Sequence, residues 1–152
     1  MGLDMYLYKK NYIRTESFYK EDLRNEVIVK TGGEIDTKIK SERIRYIVEE
    51  VGYWRKANQI HRWFVENVQN GIDECQNSYV SRETLEELLE LCKQVRDDHS
   101  KADELLPSTS GFFFGGTEYD EWYFDSIDNT IKIIEECLED ETADEFEYSS
   151  SW

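Results

Sequence analysis

The stretch "GYWRKANQIHRWFVENVQNG" (Gly52–Gly71) carries the most decisive pattern in this chain. On a helix turning about 100° per residue, Trp54, Ala57, His61, Phe64 and Val68 share one face, with Asn58 and Val65 at its edge. Arg55, Gln59, Arg62 and Glu66 fall elsewhere, and Asn70-Gly71 is a good C-terminal stop. The apolar stripe thus contains a histidine and borders an asparagine. A buried polar side chain without a partner costs about 1–3 kcal/mol. His61 and Asn58 therefore either tie this helix to a loop backbone or face a pocket.

Upstream, Ser41 is placed to cap a helix whose apolar residues Ile44, Ile47, Val48 and Val51 follow a helical spacing, with a kink or break expected at Gly52. Before that, "GLDMYLYKKNYI" alternates as a strand, with Leu3, Met5 and Leu7 on one face and Tyr6 and Tyr8 on the other. "EVIVKTGGEIDTKIK" reads as two short strands around Gly32-Gly33, where both glycines tolerate the positive φ of a tight hairpin. These strands predict a small antiparallel N-terminal sheet or hairpin.

Downstream, Ser81 caps a helix with Leu85, Leu88, Leu89, Cys92 and Val95 as its buried stripe and Glu83 in its first turn. "KADELL" is a short helix halted by Pro107, the only proline. A last helical stripe runs through Tyr119, Tyr123, Ile127, Thr130, Ile131, Ile134 and Leu138. The expected fold class is α+β, the sheet packed on four to five helices. Residues 1–139 form one domain, and 140–152 are expected to be an acidic, disordered tail, because "DETADEFEYSSSW" has five acids and no base.

The 152 residues suit a single domain that buries enough surface to need no metal or disulfide staple. With 39% hydrophobic but 14% aromatic residues, the core is built from a few large rings. No run reaches the roughly 18 apolar residues of a membrane span, and "MGLDMYLYKK" lacks the order of a signal peptide. Myristoylation at Gly2 calls for Ser or Thr at position 6, where Tyr6 stands. Cys75, Cys92 and Cys137, odd in number and without C-x-x-C spacing, read as reduced thiols of a cytoplasmic protein.

The net charge of −16 is uneven: residues 1–96 hold 16 basic and 17 acidic side chains, whereas 97–152 hold Lys101 and Lys132 against 17 acids. That half is repelled by phosphate, so neither duplex DNA nor an anionic membrane is an expected partner. Such a bias serves solubility or attracts a basic protein.

"STSGFFFGGTEYDEWYF" (Ser108–Phe124) offers hydroxyls from Ser108 to Ser110 and close backbone approach at Gly111, Gly115 and Gly116. It is not a phosphate loop, since no lysine follows. Phe112, Phe113 and Phe114 either plug the core or, if exposed, provide a stacking platform or a protein contact. The acids Glu118, Asp120, Glu121, Asp125 and Asp128 read as a solvated helix face. His61, His99 and the cysteines are too scattered for a zinc set, and neither a covalent nucleophile nor a cofactor has a recognisable signature.

Taken together, "MGLDMYLY", "VGYWRKANQIHRWFVENVQNGIDEC", "YVSRETLEELL" and "LLPSTSGFFFGGTEYDEWYF" resemble a family of small proteins encoded by tailed bacteriophages and prophages, over most of residues 1–138. The resemblance implies a cytoplasmic protein of an infected bacterium, acting on host processes or against host defence.

Three functions stand side by side. Tyr53, Trp54, Arg55, Asn58, His61 and Arg62, closed over by Ser110, Phe112–Phe114, Gly115 and Gly116, would bind a nucleotide-like or other phosphorylated ligand, aromatic faces taking the base and guanidinium groups the phosphate. The acidic half could instead imitate nucleic acid and occupy a basic host protein. An enzyme would need His61 to meet an acid such as Asp73 or Glu74.

Overall fold

A computed structural model describes residues 2–152. Leu3, Met5 and Leu7 alternate into the core along β1 (Asp4–Tyr12), as their spacing requires. The short strands β2 (Lys30–Thr31) and β3 (Glu34–Ile35) pair around Gly32-Gly33, but as a separate ribbon that does not join β1. Instead, β1 lies inside a four-stranded antiparallel sheet of order β4-β1-β6-β5, with β4 spanning Tyr46–Arg55, β5 Ser78–Val80 and β6 Glu145–Ser151.

β4 overturns the helix expected from Ser41. Its run "YIVEEVGYWR" is rich in β-branched and aromatic residues, which suit a pleated surface. Pairing with the long β1 gives nine of its ten residues a cross-strand partner. The supposed helical stripe finds no core: Ile47 and Val48 are exposed, and Ile44 and Val51 half-buried. Only Gly52 and Trp54 point inward. Gly52 does not kink a helix. Leu7 faces Gly52 and Tyr8 faces Glu50, so Val51 is the extra residue of a bulge. A Cβ on Gly52 would lie 2.6 Å from Ile133 Cγ2, so glycine lets the strand meet the helix behind it.

The helices are α1 (Asn58–Asn67), α2 (Arg82–Asp97), the single turn α3 (Ala102–Leu105) and α4 (Glu121–Glu139). Ser81 caps α2, its Oγ accepting from Thr84 N at 3.1 Å, and Leu85, Leu88, Cys92 and Val95 are buried. Asp120 caps α4 in the same way through Tyr123 N at 3.1 Å. Tyr123, Ile127, Thr130, Ile131 and Ile134 form its inner face, while Tyr119 precedes the helix. Burial makes Cys92 and Cys137 small apolar fillers, pushing their thiols up to about 12 and about 11. None of the described helices is long and apolar enough to cross a membrane.

The expected disordered tail is a strand at the centre of the sheet. β6 lies between β1 and β5, with Phe146 and Tyr148 buried beneath the helices. The acids that make this segment look unstructured are met by the cations of β1 and its continuation. Lys9 Nζ lies 2.5 Å from Asp140, Lys10 Nζ 3.8 Å from Glu147, and Arg14 Nη2 3.1 Å from Asp144. Tyr12 N also donates to Asp144 at 2.8 Å. Arg82 lies over the Phe146 ring at 5.5 Å and donates to the Asp140 carbonyl.

Two measurements check this placement. Phe146→Ala should lower the urea unfolding free energy by about 3–5 kcal/mol, the usual loss for a buried ring, where a disordered tail would show no change. The Lys9 hydrogen bond, followed by that of Thr142, lowers the Asp140 carboxyl to about 2. A lowered folded pKa gives stability that is present above the ordinary carboxylate value near 4 and is lost as pH falls toward about 2. Thermal melts across that range should lose part of their pH dependence in Asp140→Asn.

Candidate functional site

The turn from β4 into α1 builds an electropositive corner. Lys56 adopts φ 56°, a left-handed conformation uncommon outside glycine, and its N–H donates to the Leu3 carbonyl at 2.8 Å. Ala57 is the N-cap of α1 and has no side-chain acceptor to offer. The amides of Asn58 and Gln59 form no hydrogen bond with another described residue. The positive end of the helix thus has two amides without a protein acceptor beside Arg55 and Lys56.

The second wall is the loop after α3. Asn58 holds it: Nδ2 donates to the carbonyls of Phe114 (3.2 Å) and Gly116 (2.8 Å), and Oδ1 accepts from Thr109 N (3.0 Å). Gly115 has φ 86°, and a Cβ there would sit 3.1 Å from the Lys56 Cβ, so the loop runs directly against the lysine stem. Phe114 is the plug of this loop, buried and perpendicular to the His61 ring, with centroids 5.1 Å apart. Phe112 and Phe113 remain 75% and 43% exposed. Ser110 is exposed as well.

Between these walls and the start of α4 lies a cavity of about 350 Å³. Arg55, Lys56, Asn58 and Gln59 line one side; Ser108, Gly115 and Gly116 the loop side; Glu118, Asp120, Trp122, Tyr123 and Ser126 the third. Its walls carry both signs of charge, and Trp122, 81% exposed, supplies a free aromatic face. A hollow of about 420 Å³ beside Thr15, Arg24, Asn25 and Glu42 is larger, but it is more open to solvent and has no aromatic wall. Ligand sites favour concavity, aromatic surface and a few convergent polar groups, which the cavity at α1 combines.

Of the residues expected to share a pocket, Arg55, Asn58, Gly115 and Gly116 line this one. The others are used elsewhere. Trp54 is in the core, its Nε1 donating to Thr130 Oγ1 at 2.8 Å. Tyr53 lies on the outer face of the sheet and donates to Asp4 at 2.5 Å. Arg62 pairs with Glu66 at 2.9 Å.

His61 is 1% exposed and has both ring nitrogens satisfied. Tyr148 Oη lies 2.7 Å from Nδ1, and Asp73 Oδ2 lies 2.8 Å from Nε2. Asp73 Oδ1 accepts from Trp152 Nε1 at 3.0 Å. One arrangement serves every atom: the phenol donates to Nδ1, and Nε2–H donates to the carboxylate. Burial pushes the Tyr148 phenol well above its ordinary value, so it stays a donor. Asp73 does meet His61, but Glu74 does not join the chain, and none of its four side chains lines a cavity described here. Among the described residues no group of three or more His, Cys, Asp or Glu is placed to hold a metal ion.

Lys56 is among the cations that the sequence interleaves with aromatics in this segment, whereas Gln59 and Trp122 have no place in the site read from sequence. Gln59 sits off the apolar stripe of a helix that is in fact buried on most sides, and Trp122 was readable only as one aromatic among many. Comparison with protein-family models, curated proteins and solved structures gave no match.

Tyr148→Phe keeps the ring and leaves His61 Nδ1 buried without its donor. Urea denaturation should show a loss of about 1–3 kcal/mol. A change near zero would mean that Tyr148 acts only as a hydrophobe.

Proposed function

We propose that this protein is a phage-encoded binding module that acts in the host cytoplasm by capturing a small phosphorylated, nucleotide-like ligand in the cavity at the start of α1. The observation carrying this reading is the meeting of three features around about 350 Å³: two uncapped helix amides, the cations Arg55 and Lys56, and the open face of Trp122. Helix amides with a guanidinium suit a phosphate, and an indole suits a base. Glu118 and Asp120 on the far wall suit ribose hydroxyls or base N–H groups, which donate. A left-handed lysine at the rim supports the reading, since backbone strain gathers at ligand clamps. Sequestering a nucleotide signal is one way such a module would blunt a host defence.

A second reading rests on α4, whose outer face exposes Glu121, Asp125, Asp128, Glu136 and Glu139. That surface would suit a basic host protein. It is the weaker reading, because Lys132 interrupts the stripe and several C-terminal acids are already paired with Lys9, Lys10 and Arg14.

A thermal-shift screen of nucleoside phosphates and cyclic oligonucleotides tests the first reading. A ligand at about 100 times its dissociation constant stabilises the fold by about 2.7 kcal/mol. Arg55→Ala should weaken that ligand about tenfold while leaving the unliganded melting temperature nearly unchanged. No shift with any member of the screen would remove the nucleotide reading, and salt-sensitive capture of a basic host protein would then favour the second.

A further inference from the structure

Gln59 is 3% exposed, and its amide is held in one orientation. Nε2 donates to the Tyr123 carbonyl at 3.3 Å and to Ser126 Oγ at 2.5 Å. Ser126 Oγ in turn donates to the Tyr123 carbonyl at 2.7 Å, so the serine oxygen is the acceptor for Gln59. Reversing the amide would set two acceptors against each other at the Tyr123 carbonyl. The side-chain oxygen is therefore locked, and it makes no hydrogen bond with another described residue. It is not sealed inside the protein either. Among the described residues, the sealed side-chain atoms without a partner are Gln69 Oε1 and Ser150 Oγ, so Gln59 Oε1 opens into the cavity that its residue lines.

A nearly buried carbonyl oxygen in this position is a fixed acceptor with no protein donor. A ligand that brings an N–H to it gains a hydrogen bond, and one without it leaves the acceptor unsatisfied, a difference of about 1–3 kcal/mol. Trp122, Tyr123 and Ser126 belong to the same end of α4, so the acceptor shares its wall with the exposed indole. Resting on the reading of this cavity as a nucleotide site, we infer that Gln59 is its specificity-determining residue. It selects a nucleotide whose base carries an N–H donor on its edge, the ring lying on Trp122 and the phosphate toward Arg55 and the α1 amides. Gln59 does this through its oxygen, since its amide nitrogen already donates within the protein.

The test uses three probes with the same ribose and phosphate: AMP, GMP and purine riboside 5′-monophosphate, whose base has no N–H. Isothermal titration of the wild-type protein should show AMP or GMP binding about tenfold or more tighter than the donor-free analogue. In Gln59→Met that ratio should fall close to one, while the analogue still binds and quenches tryptophan fluorescence. If the analogue binds the wild-type protein as tightly as both AMP and GMP, the role of Gln59 is overturned and the cavity remains a nucleotide site. If none of the three binds, the nucleotide reading fails and the inference falls with it. Where Gln59→Met does not fold, a ratio that persists in Glu118→Ala and Asp120→Ala excludes the two carboxylates and leaves Gln59 as the acceptor, and one that disappears in either overturns its role.

Discussion

The phenol of Tyr148 joins the last strand of the chain to its first helix, and the rest of the architecture depends on that junction. Its ring lies flat on Phe64 at 4.0 Å with an 11° tilt, and its hydroxyl enters the hydrogen-bond chain through His61 to Asp73 and Trp152. A β6 without this anchor would be a short acidic strand seeking a place between β1 and β5. With it, Phe146 and Tyr148 complete the floor on which α1, α2 and α4 pack. The same junction explains a histidine on an apolar helix stripe: a buried imidazole costs little when both nitrogens find partners, and here they do.

Once His61 is committed to the core, the chemistry available to a ligand moves to the beginning of the same helix. Asn58 is the pivot of that change. It spends three hydrogen bonds on the 109–116 backbone and so fixes the loop against Lys56. The serine and aspartate caps of α2 and α4 each take one amide, the third of the helix, Thr84 N and Tyr123 N. In α1 the capping position is an alanine whose carbonyl takes the third amide, Ile60 N, at 3.1 Å, and the first two amides make no hydrogen bond with another described residue. The cavity is thus a product of one sharp left-handed turn and a loop held against it by Asn58.

The charge distribution acquires a structural meaning in the same way. A C-terminal half with 17 acids looks like a solvated surface, and on the outer face of α4 it is one. Around β6, however, acids alternate with buried rings and meet Lys9, Lys10 and Arg14 across the sheet. Opposite-charge pairs across strands add only modestly to stability, but they favour this register over its neighbours. The segregation of basic residues to the first strand and acidic residues to the last is therefore part of how the two ends of the chain find each other.

Sequence by itself determined the elements whose signals are local. Alternation along β1, the Gly32-Gly33 hairpin, the Ser81 cap with its leucine stripe, the stop at Pro107 and the inner face of α4 all rest on contacts within a few residues, and so does the α+β class. The meeting of Arg55, Asn58, Gly115 and Gly116 around one cavity was also legible, because cations and glycines advertise themselves. Only the tertiary structure decided that Tyr46–Arg55 is a strand and that Glu145–Ser151 is another, since each is specified by pairing with β1 rather than by its own periodicity. It alone took His61 and Trp54 out of reach and brought Gln59 and Trp122 to the cavity wall. Burial and hydrogen-bond partners are set by residues 60 to 90 positions away, and no local pattern carries that information.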